Sequence, residues 1–189
     1  MNVLVNFMVF QAAWFATVLG AAKDAPWVGL IVILAAAALH LRNTRLPLIE
    51  ARLLASAMVL GLVVDSLLLA SGWIAYPNGQ WIPALAPYWI VAMWALFATT
   101  LNVSMRWMRG RYVLAALFGA VGGPLSYYAG ARLGAMTFVD TQAAVAALAV
   151  AWALAMPALM WLAARLDGTQ EPLRPDYIRA SWKRVDNHG

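Results

Sequence analysis

Apolar residues run almost unbroken along this chain, and short polar stretches divide them into six segments. These span approximately Val3–Ala22, Pro26–Leu41, Leu48–Gly72, Ala86–Met108, Tyr112–Met136 and Thr141–Arg165. Most reach the roughly 20 residues that a helix needs to cross a bilayer. The second is shorter: at about 1.5 Å per residue it covers some 24 Å, so it must thin the bilayer or sit partly buried. The breaks are well punctuated. "KDAP" places Pro26 in the first turn of the second segment, and Gly110 interrupts "RWMRGRY" between the fourth and fifth. No internal repeat stands out. The pattern predicts an all-α integral membrane protein: a six-helix transmembrane bundle over residues 1–165, followed by a polar tail over 166–189. In the tail, Ile178, Trp182 and Val185 recur at helical spacing with Arg179, Lys183 and Arg184 between them. That predicts a short basic amphipathic helix resting on anionic lipid.

Composition agrees. Hydrophobic residues make up 64% of the chain and charged residues 11%, against roughly 25% charged in soluble domains. The start, "MNVLVNF", lacks a basic n-region, so the first apolar run reads as a span and not a leader. Without cysteine there is no disulfide and no thiol chemistry. The two histidines, His40 and His188, are too few for a histidine-rich metal site. No metal and no cofactor is expected; membrane lipids are the expected partners, and nucleic acid is not.

Charge is distributed unevenly. Eleven basic residues fall on one side of the predicted bundle: Arg42, Arg45, Arg52, Arg106, Arg109, Arg111, Arg165, Arg174, Arg179, Lys183 and Arg184. Only Lys23 and Arg132 fall on the other. The positive-inside rule then places the C-terminus in the cytoplasm of a cell with an inner membrane. Six spans put the N-terminus there too. If the short second segment fails to cross, only the N-terminus changes side.

Between the third and fourth segments runs "SGWIAYPNGQWIPALAPYW", uncharged and aromatic. It reads as a loop lying in the headgroup region, or as a lid over a cavity.

Small residues concentrate in the fifth segment, within "GAVGGPLSYYAGARLGA". Gly122, Ser126, Gly130 and Gly134 form one stripe; Ala115, Gly119 and Gly123 form an adjacent one. Small residues let helices approach closely in lipid, so this helix is expected to be central and contacted on two faces, and bent at Pro124. Arg132 lies about 30 Å along it, where it snorkels to headgroups or pairs with Asp140 or Asp65.

An acid within a span is costly unless paired, neutral or hydrated. Asp65 follows Ala57 and Gly61 at four-residue spacing, so it is expected to face the bundle interior. Ser66, Tyr127 and Tyr128 lie at similar depth, and Gln11 of the first helix is a further candidate partner. Near the basic side, His40 and Asn102 are candidates for interhelical hydrogen bonds, with Thr99, Thr100 and Ser104 nearby. Glu50 and Arg106 read as ordinary interfacial charges.

The blocks "NFMVFQAAWFATVLGAA", "GLVVDSLLLASG", "LFATTLNVSMRWM" and "GAVGGPLSYYAGARLGAM" resemble the bacterial membrane family catalogued as domain of unknown function 2878. The resemblance covers nearly all of the apolar region and leaves out the tail. It singles out Gln11, Trp14, Asp65, Ser66, Thr100, Asn102, Ser104, Gly122, Gly123, Pro124, Tyr127, Gly130 and Arg132. Such proteins are multi-span inner-membrane proteins, often encoded beside cyclopropane-fatty-acid-synthase-like and other lipid-modifying enzymes. The resemblance therefore implies a role in lipid or fatty-acyl modification by association, as an enzyme or as an accessory subunit with lipid-modifying partners. A small proton-coupled transporter and a non-catalytic scaffold are the alternatives. No serine triad or phosphate loop is visible, so any catalysis falls to Asp65, Tyr127 or His40.

Overall fold

The computed structural model describes residues 1–170. The amphipathic helix expected around Ile178–Val185 lies outside the described residues.

Among the described residues the regular structure is helical apart from one two-residue strand pair. Its helices are α1 (Val3–Ala22), α2 (Pro26–Arg42), α3 (Pro47–Ala70), α4 (Tyr88–Leu101), α5 (Tyr112–Arg132) and α6 (Thr141–Arg165). Consecutive helices run in alternate directions. One end of the bundle therefore gathers the starts of α1, α3 and α5, and Glu50 marks it. The other gathers the starts of α2, α4 and α6, and Asp65 lies toward it. Among the described residues four helices, α1, α3, α5 and α6, are long and apolar enough to cross a membrane. Their outer faces carry bare aliphatic side chains such as Val113, Val121, Leu67 and Leu154, as a lipid-facing surface requires.

Local chemistry sets the boundaries. Asn2 caps α1 by accepting from Val5 N at 2.8 Å, and Asp140 caps α6 by accepting from Ala143 N at 3.0 Å. Pro26 and Pro47 stand in the first turns of α2 and α3, where a missing N–H costs nothing. Helix α5 ends in a Schellman motif: Ala135 N reaches Gly130 O and Gly134 N reaches Ala131 O, both at 3.0 Å. The motif needs a left-handed residue just past the helix, and Gly134 supplies it with φ of 93°.

Two expectations are overturned here. The fourth segment is a 14-residue helix, not a span reaching Met108. It stops because Asn102 turns its amide onto Glu50 and the chain folds into turns and a short 3-10 helix at Arg106–Met108. The central helix is α4, not α5. It packs against α1, α2, α3 and α6, and eleven of its fourteen residues are buried, as expected of a helix apolar all round. Helix α5 packs along α6 and scarcely touches α1.

The α3–α4 connection folds over the Asp65 end. Strand β1 (Ile74–Ala75) pairs antiparallel with β2 (Thr137–Phe138), tying this loop to the one between α5 and α6. Ile74, Tyr76 and Ala86 are buried, whereas Trp81 and Ile82 are exposed. The loop is thus partly tucked into the bundle, and only its tip resembles a surface-lying segment.

Candidate functional site

Asp65 sits on the interior face of α3 and is fully buried. Its Oδ1 accepts from the Tyr76 hydroxyl at 2.9 Å and from the Tyr127 hydroxyl at 2.7 Å. Its Oδ2 accepts from Trp94 Nε1 at 2.8 Å. Three neutral donors thus converge on one carboxyl, and no cation is among them. Hydrogen bonds of this kind offset the loss of water around a buried acid.

Two glycines hold the indole of Trp94 in place. Trp94 stacks on Trp152 of α6 with centroids 4.5 Å apart and planes 15° from parallel. A Cβ on Gly61 would collide with the outer face of Trp94, and one on Gly123 with Trp152. The order Gly61, Trp94, Trp152, Gly123 therefore spans α3, α4, α6 and α5. Gly119 lets α5 meet the α6 backbone at Trp152 in the same way.

Beside this stack lies a cavity of about 290 Å³ between α1, α4, α5 and α6. Phe7, Phe10, Gln11, Trp14 and Val18 of α1 form one wall, and Phe118 through Gly130 of α5 the facing one. These stretches run about 16 to 18 Å along their helices. Phe7 and Phe118 are also about half exposed on the outer surface, so the cavity borders the lipid side there. Its other end meets Tyr127, Ala135 and Met136. The wall is almost wholly apolar. Such volume lies at the lower edge of the roughly 300–1,000 Å³ of small-molecule sites.

Several expected positions are relocated by this geometry. Gly122, Ser126 and Gly130 do not meet a neighbouring helix; they line the cavity. A Cβ on Gly122 would touch only Phe118 of its own helix, and one on Gly130 only Met136. Gly134 ends α5 and does not continue that stripe. Pro124 is buried within α5, which runs through it as one helix. Gln11 and Trp14 face the cavity and are not among the partners of Asp65. Ser66 accepts from Ala86 N at 3.0 Å and so pins the α3–α4 loop. Tyr128 points away, exposed and stacked on Phe138. Arg132 is exposed, without an ion pair among the described residues.

At the other end of the bundle is a second polar cluster, which the structure keeps apart from the first. Glu50 is fully buried, not interfacial. Its Oε2 lies 2.9 Å from His40 Nε2, and its Oε1 accepts from Asn102 Nδ2 at 2.7 Å and from Gly168 N at 3.0 Å. Arg109 donates to Asn102 Oδ1 at 2.6 Å and to Asp167 at 2.9 Å. Arg106 reaches Asp167 at 3.1 Å and also Thr169. Burial alone would raise the Asp167 carboxyl, but bonds from Thr169 and Arg109 and the charge of Arg106 hold it below the ordinary carboxylate value. Asn6 joins α1 to this end by donating to Thr99 O at 3.0 Å and accepting from Ser104. The network clasps α2, α3, the end of α4 and the segment after α6. His40 and Asn102 belong to it, so they are not near Asp65 and Tyr127.

Sequence reasoning did not single out Trp94, Tyr76, Trp152, Asn6, Arg109 or Asp167 for these roles. Trp94 carried no signal that set it apart, because Tyr88 and Trp89 present polar-edged rings on the same helix and Trp152 does so on α6. Among the described residues no three His, Asp or Glu side chains group to hold a metal ion.

No curated protein and no solved structure matches the chain. The family described as "Protein of unknown function (DUF2878)" matches residues 3–158. That stretch carries both Asp65 with its three donors and the whole cavity wall, so the matched region and the candidate site coincide. With most of its length matched, the chain belongs to the DUF2878 family.

Proposed function

We propose that this protein handles a membrane lipid by taking one acyl chain into the cavity between α1 and α5, as a component of lipid or fatty-acyl modification. The observation that carries the reading is the cavity itself: long, apolar, aromatic-walled, bordering the lipid-facing surface, and ending beside a buried acid. A lipid tail enters such a space without crossing water. In this reading all six helices span a bacterial inner membrane as one domain over residues 1–165. The Glu50 end, where Arg42, Arg45, Arg52, Arg106, Arg109 and Arg111 gather, faces the cytoplasm. The tail, 166–189, lies there too.

The test is lipidomics of a deletion strain complemented with wild type or with Gly122→Leu, which fills the cavity from a position with room for a side chain. Wild type should restore the acyl profile and Gly122→Leu should not. An acyl profile untouched by the deletion would refute the reading. A small proton-coupled transporter is the second reading, favoured by one observation: Asp65 is buried with only neutral partners. An unchanged acyl profile with altered uptake would favour it.

A further inference from the structure

His40 is only 1% exposed, yet its ring is bonded on one side alone. Nε2 lies 2.9 Å from Glu50 Oε2. A carboxylate only accepts, which assigns the proton of the neutral ring to Nε2. Nδ1 has no partner among the described residues and opens onto a second cavity. That cavity, of about 330 Å³, lies at the Glu50 end. Its wall joins His40, Asn43 and Thr44 of α2 and the turn after it to Asn102, Arg106 and Thr169. Asn43 is exposed at its rim. Arg106 spends Nε on Asn102 O and Nη2 on Asp167 and Thr169, so Nη1 is left without a partner among the described residues. At this end the six arginines named above stand against two acids among the described residues, Glu50 and Asp167. Such a balance favours an anion over a cation.

We infer that this second cavity binds a phosphate group, and that His40 takes up a proton as it does so. One phosphate oxygen accepts from Arg106 Nη1 and another from Nδ1–H of the imidazolium. The neutral ring presents a lone pair at Nδ1, which repels an anionic oxygen. The imidazolium donates there while Nε2–H keeps its bond to Glu50. A tetrahedral phosphate directs oxygens at two walls, whereas a planar carboxylate aims both to one side. The charged groups around His40 are Glu50 from α3, Arg106 and Arg109 after α4, and Asp167 after α6. Arg42 of α2 itself and the Met1 amine at the start of α1 complete the set. Val3 in this wall stands one turn of α1 before Phe7 in the apolar cavity. The phosphate therefore belongs to a lipid headgroup or to a free phosphate ester, and the experiment separates the two. The inference does not rest on the acyl-chain reading.

The test uses the full chain in dodecyl maltoside, free of phosphate and added lipid, with the rings of His40 and His188 labelled with nitrogen-15. Nitrogen shifts report tautomer and charge at each ring, so His188 is an internal control and the Met1 amine gives no signal. At pH 8 His40 should show a bare Nδ1 and a protonated Nε2. Glycerophosphoglycerol or dihexanoyl phosphatidylglycerol should convert this saturably to the imidazolium pattern. The dissociation constant should fall by about tenfold or more between pH 8 and pH 6, because a proton is bound with each phosphate. Binding of the short-chain lipid at least about tenfold tighter identifies a lipid headgroup; equal affinities identify a free phosphate ester. His40→Gln keeps a donor for Glu50 and lacks Nδ1; the folded variant should bind weakly and without a pH slope. Arg106→Gln should bind weakly at every pH and keep the slope. Saturable binding that leaves the His40 signal unchanged, or no binding of either probe, would overturn the inference. Neither result touches the apolar cavity, whose own test is the acyl profile.

Discussion

Gly61 and Gly123 lie on different helices, yet they act on one object, the Trp94–Trp152 stack. Each presses a ring face so closely that a methyl group has no room. Gly61→Ala or Gly123→Ala should therefore lower stability by about 1–3 kcal/mol through overpacking, read as a lower midpoint of thermal unfolding in detergent. Gly122→Ala, with open space before it, should change the midpoint little; an equal loss in all three would refute the distinction. Asp65 offers a graded series. Asp65→Ala leaves Tyr76, Tyr127 and Trp94 without their shared acceptor, at about 1–3 kcal/mol for each buried donor left unmet. Asp65→Asn keeps an oxygen for Trp94 and turns an NH₂ toward two phenol oxygens, which can accept. The asparagine variant should thus be clearly more stable than the alanine variant. Equal stabilities would mean the three hydrogen bonds contribute little.

At the scale of the helices, apolar runs between charged breaks located α1 and α6 to the residue and α2, α3 and α5 to within a few positions at either end. The pattern failed at α4. Its apolar run continues through Val103, Met105 and Met108, and nothing in that run signals that Asn102 is held by Glu50, 52 residues earlier. Small-residue spacing was informative about α5 but ambiguous between two uses. Gly119 and Gly123 serve close packing, whereas Gly122 and Gly130 keep a cavity open; periodicity is the same for both. The acid at Asp65 was legible from its depth and its small-residue face, and Tyr127 from its level. Tyr76 and Trp94 were not, because loop folding and helix rotation bring them there. The clasp after α6 also depends on distant partners, and its ion pairs carry a pH signature. Bonds from Thr169 and Arg109 hold the Asp167 carboxyl below its ordinary value of 3.8. Its contribution is therefore present above that value and lost as pH falls through the lower, folded one. The thermal midpoint of wild type minus that of Asp167→Asn should stay constant from about pH 8 to 5 and shrink only below about pH 4. A difference that shrinks on raising the pH would contradict the assignment.

On the scale of the whole molecule, alternate helix directions put the α6 end and the Arg-rich turns together. A reporter fused after residue 189 should therefore signal from the cytoplasm, with the signal unchanged when residues 171–189 are deleted. A periplasmic signal would reverse the orientation. The central place of α4 has a consequence for biosynthesis. Its Trp94 face is closed by Trp152 of α6, and Glu50 receives Gly168 N from 118 residues downstream. A nascent chain that has emerged only as far as α5 therefore holds an uncovered indole and an incompletely bonded buried acid. The bundle closes only after α6 is made, so a chain stalled before that point leaves both side chains without their last partners.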